Sequence, residues 1–170
     1  MKKSGLLFLA AIVFSFTSAV SVAAADKARQ DVVAERGADV MPFALNATTH
    51  IFTKTKTGGI QQVVTKSAKD AGQIGLIREH LKEIAAQFSK GDFSAPSHIH
   101  GDDMPGLAEL TKADPSAIKV QYREIKSGAS ISYTTNNREL IKALHKWFDA
   151  QLSDHGHDAM QGHDHSRMHR

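Results

Sequence analysis

Thr48-Thr-His50-Ile-Phe52-Thr-Lys-Thr55-Lys-Thr57-Gly58-Gly59-Ile60-Gln-Gln-Val63-Val64-Thr65 is two runs of β-forming residues about a Gly-Gly turn. It reads as a β-hairpin. The next segment changes period. Ile74, Ile77, Leu81, Ile84 and Phe88 recur at intervals of three and four, which draws one apolar stripe along a helix from about Ala71 to Ser89. Asp70 is placed to cap it and Gly91 to stop it.

The same order recurs downstream. Ile118, Val120 and Tyr122 alternate with polar residues, Ser127-Gly128 turns the chain, and Ile131 and Tyr133 alternate again. Asn136-Asn-Arg-Glu139 resembles a capping box with Asn in place of Ser or Thr. Leu140, Ile141, Leu144, Trp147, Phe148 and Leu152 then line a second helix, stopped by Gly156. The helices align at an offset of 64 residues (Ile77 with Ile141, Ile84 with Phe148) and the turns at 70. The expectation is an α+β two-layer sandwich built as a ββα-ββα pseudo-repeat. A four-stranded antiparallel sheet would carry both helices on one face, because either unit alone is marginal. The other sheet face carries Thr, Lys, Gln and Ser and suits water or a protein partner in the cell envelope.

Outside this core the ends are readable. Lys2 and Lys3 precede an uncharged apolar stretch, Leu6–Val20, and Ala23-Ala24-Ala25 offers a small-x-small cleavage site before Asp26. Residues 1–25 thus read as a secretory signal peptide, with cleavage before Ala25 as the alternative. The apolar run is short for a membrane span. A periplasmic or secreted location follows, with no stable membrane insertion after cleavage. Asp26 to Val40 is expected to form a short helix, ended by Gly37 and Met41-Pro42. Residues 26–154 would form one domain, and 155–170 a disordered tail.

Removing residues 1–25 leaves 19 basic against 18 acidic side chains, a formal charge of +1. With no basic stripe among aromatic neighbours, nucleic acid is not an expected partner. Cysteine is absent, so thiolate metal sites and Cys nucleophiles are excluded.

Histidine is the remaining chemistry. Five of the ten histidines, His155, His157, His163, His165 and His169, fall in the last sixteen residues among Asp and Met, and such tracts bind Ni(II), Cu(II) and Zn(II) on composition alone. Between the repeats, residues 91–117 read as a long loop of the kind that often carries function. In it, Ser97-His98-Ile99-His100-Gly101-Asp102-Asp103-Met104 is the densest ligand group outside the tail. In an extended chain His98 and His100 share a side. Two imidazoles with Asp102 or Asp103 suit zinc or iron, and Met104 tilts the set toward copper. The alternative is a polar loop whose histidines satisfy the backbone. His80 and His145 flank the helix stripes, where a satisfied histidine is the usual explanation. A site joining His50, His80 and His145 is geometrically possible but has no further support in the sequence.

Adjacent Asp102 and Asp103 point apart in an extended chain and make a poor acid/base pair. Neither Gly-x-Ser-x-Gly, His-Glu-x-x-His nor a phosphate loop occurs, so nothing argues positively for catalysis. The expected function is metal binding by an exported protein, copper first, zinc or nickel next. A ligand- or protein-binding module with an incidental tail is the alternative, and a metal-dependent enzyme the third reading.

Lys90-Gly-Asp-Phe-Ser-Ala-Pro-Ser-His-Ile-His-Gly-Asp-Asp-Met-Pro-Gly-Leu107 and Trp147-Phe-Asp-Ala-Gln-Leu-Ser-Asp-His-Gly156, with Arg36-Gly37 and Met41-Pro42-Phe43, resemble a family of small exported bacterial proteins without an established activity. Some members are labelled aspartate carbamoyltransferase. The Ser-Thr-Arg-Thr carbamoyl-phosphate loop of that enzyme is absent here. The resemblance implies export and a single small domain, and adds no mechanism.

Overall fold

The computed structural model describes residues 18–164. Most of the expected signal peptide, and His165 and His169 of the tail, lie outside the described residues. No helix among the described residues is long and apolar enough to cross a membrane.

The elements run α1 (Ser18–Val40), β1 (Thr48–Thr55), β2 (Gly58–Thr65), α2 (Ala71–Phe88), α3 (Ser94–His100), α4 (Leu107–Lys112), β3 (Lys119–Ile125), β4 (Gly128–Thr134), α5 (Arg138–His155) and β5 (Ala159–Gln161). The class is α+β. Both hairpins form where the turn residues place them, with Thr55 opposite Gly58 and Ile125 opposite Gly128. They join through β2 and β4, Gln61 facing Ile131. Asp70 caps α2 by accepting from the Gln73 N–H at 3.0 Å, and Asn137 caps α5 by accepting from the Glu139 N–H at 2.9 Å.

Strand parity then decides what lies inside. His50 and Phe52 of β1, Gln61 and Val63 of β2, and Ala129, Ile131 and Tyr133 of β4 face the helices. Phe52 packs on Phe148 with ring centroids 5.2 Å apart. Tyr133 sits between Phe88 of α2 at 6.1 Å and Trp147 of α5 at 5.7 Å. α2 and α5 therefore cover the same face, each presenting its apolar stripe. α1 and α4 pack on α5, and α1 also packs on α3, so the helical layer is wider than two helices.

Four expectations need correction. The sheet has five strands in the order β3-β4-β2-β1-β5. β5 runs parallel to β1, with His50 opposite Ala159 and Phe52 opposite Gln161, because Gly156 (φ +51) ends α5 and redirects the chain along an otherwise open sheet edge. The domain therefore extends past Asp154, and the tail is not disordered from His155: residues 155–161 are ordered parts of α5, a 3-10 turn and β5. Residues 91–117 are no structureless loop, since α3, α4 and a 3-10 turn at Pro115–Ala117 occupy much of it. Finally, α1 begins at Ser18 and keeps Gly37 within it, Met41 N–H still donating to the Gly37 carbonyl at 2.8 Å. Pro42, with no N–H and a bias against helix in the residue before it, sets the end.

Candidate functional site

The correction at α3 dissolves the loop site. In a helix, residues two apart lie on nearly opposite sides. Pro96, Ile99 and His100, at intervals of three and one, are buried, while His98 is exposed. Asp102 and Asp103 are exposed as well, and Met104 is core, 2 % exposed. His98, His100, Asp102, Asp103 and Met104 thus do not converge. In the tail, His157 is exposed and pairs with Asp158 at 3.4 Å, and His163 is exposed.

His100 and His155 instead meet two histidines from elsewhere. His50 of β1, His80 of α2, His100 of α3 and His155 of α5 all line one cavity of about 50 Å³, with Phe43 and Trp147 among its other walls. His155 stacks on His50 with centroids 4.7 Å apart and planes 6° from parallel. His100 meets His155 edge-on at 5.2 Å and 80°. Phe43 lies against both His50 and His80, at 6.0 and 5.6 Å. His145, by contrast, is held by the β1–β2 turn, its Nε2 bonded to the Gly58 and Thr55 carbonyls at 2.9 and 3.1 Å.

One wall of the cluster is a charged relay. Asp154, 3 % exposed, accepts from His100 Nδ1 at 2.8 Å and from Arg29 of α1 at Nε (2.5 Å) and Nη2 (2.7 Å). Arg29 Nη2 also donates to the His100 carbonyl at 3.2 Å. Burial works to raise the Asp154 carboxyl, but the bonds from His100 and Arg29 outweigh it and hold it below its ordinary value. An ionised acceptor fixes the proton of His100 on Nδ1, so in the neutral ring Nε2 carries the lone pair. A carboxylate behind one imidazole nitrogen is the arrangement that orients histidine ligands in metal sites.

The other rings are tuned by burial. Desolvation lowers His50 to about 4, against opposition from the carboxylate of Asp158 and a backbone hydrogen bond to that residue. His50 Nδ1 is buried without a hydrogen-bond partner. Burial, then the neighbouring His50 and His100, push His155 well below 6.5, and burial lowers His80. Among the described residues His50 Nδ1 and Trp147 Nε1 are the buried side-chain nitrogens without a partner, and both residues line this cavity.

These shifts fix a pH dependence. Below the unfolded value near 6.5 the unfolded chain binds protons that folded His50 refuses until about pH 4. The contribution of His50 is complete above about pH 6.5 and is lost as pH falls toward 4. The metal-free protein is expected to lose about 2 kcal/mol between pH 7 and pH 5 from this residue alone, with His155 and His80 adding in the same direction. Urea unfolding at pH 7, 6 and 5 checks it. A flat profile would mean that the rings are hydrated.

Among the described residues no three His, Asp or Glu side chains form a group that could hold a metal ion as placed. The His50–His155 stack contributes to this. Lone pairs lie in the ring planes, so two parallel imidazoles cannot aim at one point between them.

In the sequence His100 and His155 stand out in separate ligand groups, and His50 and His80 only as partners of His145, which lies elsewhere, so the assembly of these four is missed. The signal was present in the periodicity. His50 shares the parity of Phe52, His80 falls between Ile77 and Ile84, and Leu144, Phe148, Gln151 and His155 continue one stripe at intervals of four, three and four. Polar residues in phase with core positions mark a buried polar site.

Compared with family models, with curated proteins and with solved structures, the chain matches none.

Proposed function

We propose that the protein is an exported metal-binding protein, copper first and zinc or nickel next, and that the ion is held by the cavity imidazoles of His50, His80, His100 and His155, with His98, Asp102, Asp103 and Met104 taking no part. The carrying observation is that four histidines from four separate stretches of chain line one small cavity, one of them braced by a carboxylate. A core needs no histidine for packing, and burying several imidazoles carries the acid penalty described above. Loading would begin with the His155 ring turning off its stack on His50. His155 sits at the C-terminal end of α5 and, unlike His50 and His100, is only half-buried as a residue. The exposed His157 and His163, with His165 and His169, would collect ions from solution and raise their concentration near the cavity. Export rests on Lys2-Lys3, the apolar Leu6–Val20 run and the Ala-rich cleavage site.

The test is metal titration of the full chain from Asp26, beside a variant with His157, His163, His165 and His169 all changed to Gln and a second carrying His155→Phe, which preserves a stacked ring without its nitrogens. One ion should be retained tightly by the first variant. Its affinity should fall at least about tenfold in the second. Binding that vanishes with the tail histidines and ignores His155→Phe would overturn the reading.

A second reading has its own support. Trp147 Nε1–H and His50 Nδ1 are both buried without partners, a pair that a small polar organic molecule would satisfy. A metal-independent small molecule co-purifying in native mass spectra, lost on Trp147→Phe, would favour it.

A further inference from the structure

We infer that the ion this cavity selects is monovalent copper, taken by the imidazoles together with the thioether of Met41. The inference rests on the metal reading above and narrows it to one oxidation state.

The first ground is charge. No carboxylate, lysine or arginine lines the cavity. The two acids behind its rings are each paired with a cation: Asp154, bonded to His100, is held by Arg29, and Asp158, whose charge acts on His50, pairs with Lys66 at 3.0 Å. A cation bound here keeps its charge in an apolar surround of Phe43, Phe88 and Trp147. The cost of desolvating an ion grows with the square of its charge, so a monovalent ion pays about a quarter of what a divalent one does. Zn(II) and Ni(II) sites that are stable in protein interiors commonly use anionic ligands or keep water, and a cavity of about 50 Å³ leaves little room for a hydration shell.

The second ground is ligand type and number. Met41 is 7 % exposed and lines the same cavity as the four histidines. Soft thioether sulfur with imidazole is a donor set that favours Cu(I) over the harder divalent ions. Cu(I) is also content with two or three ligands. The Nε2 of His100 is set by the bond of its Nδ1 to Asp154, and Nδ1 of His50 is buried without a partner, so one further donor, from Met41 or the turned His155, completes a low-coordinate site. Zn(II) would require four.

The test uses the full chain from Asp26 with the four tail histidines changed to Gln, so that tail chelation does not obscure the cavity. Cu(I) is supplied anaerobically as its acetonitrile complex against bicinchoninate as competitor, and Ag(I) serves as a monovalent ion without redox chemistry. Zn(II), Ni(II) and Cu(II) are titrated in parallel. One equivalent of Cu(I) and of Ag(I) should bind more than about a hundredfold tighter than Zn(II). Met41→Leu, which keeps volume and removes sulfur, should weaken Cu(I) about tenfold while leaving any Zn(II) binding unchanged. Copper-edge absorption of the loaded protein should show a sulfur scatterer that the variant lacks. Divalent ions bound as tightly as Cu(I), or Cu(I) binding indifferent to Met41→Leu, would overturn this inference while leaving the metal reading intact. If no ion binds that His155→Phe weakens, the metal reading fails and takes this one with it.

Discussion

Gly106→Ala is expected to cost about 4 kcal/mol of folding stability, near half of what a domain of this size commonly has. Gly106 precedes α4 at φ +83, a left-handed backbone in which a side chain is strained. A Cβ there would lie 2.2 Å from the Ala143 carbonyl oxygen and 2.8 Å from the Trp147 amide nitrogen, both main-chain atoms of α5. Neither can step aside as a side-chain tip would. Strain of about 1–3 kcal/mol adds to an overpacking cost of similar size. Relief requires α4 to lift from α5, and with it Leu107 and Leu110, each 1 % exposed. Chemical denaturation of the variant measures the loss. The near-ultraviolet signal of Trp147 should change too, since its own backbone is displaced. A loss below about 1 kcal/mol would mean that the two helices are not packed this closely.

Asp154→Ala should remove about 3 kcal/mol, the lower end for breaking a buried ion pair. Three donors lose their acceptor at once, Arg29 Nε, Arg29 Nη2 and His100 Nδ1. The Arg29 side chain is 46 % exposed and can rehydrate, whereas His100 is 2 % exposed and cannot. Most of the loss therefore arises at His100 and in the anchoring of α1, whose other hydrogen bonds here are Arg29 Nη2 to the His100 carbonyl at 3.2 Å and Gln30 Nε2 to the Ser153 carbonyl at 3.0 Å. Asp154→Asn keeps shape and one acceptor but not the charge, and should cost less. The carboxylate's contribution is present above the ordinary carboxylate range and fades as pH falls through its depressed value. The stabilities of the wild type and the Asp154→Asn variant should therefore converge in acid. Urea titrations at pH 7 and pH 3 check both statements. Equal stability of the Ala variant and wild type at pH 7 would mean that the relay carries no structural weight.

How far the chain could be read depended on how local each feature is. The hairpins and the two long helices were legible because turn residues and apolar periods repeat over several units, and Gly58, Gly128, Ile77 and Leu144 fell where expected. α3 was not. Seven residues offer barely one repeat of an apolar stripe, and a helix of that length stands only because Phe93, stacked 4.6 Å from Phe88, and Ile99 pack into the core. Reading His98-x-His100 as extended put both rings on one side, and the helix separates them. β5 has three residues, two of them exposed, and no apolar alternation to announce it. The imidazole cluster was illegible as a motif because its members lie 20 to 55 residues apart in sequence, and spacing rules address only ligands that are neighbours in the chain.

That separation bears on when the site can exist. β1 waits for its parallel neighbour across more than a hundred residues, His50 for Ala159, and the ring that stacks on His50 belongs to the same late segment. Pairings this remote form late in folding. A chain emerging residue by residue, from a ribosome or through a membrane pore, holds His50, His80 and His100 for some time before His155 arrives. No ion can be enclosed during that interval. Whatever fills the cavity is acquired in the compartment where folding finishes, and the composition of that compartment, not that of the place of synthesis, decides the occupant.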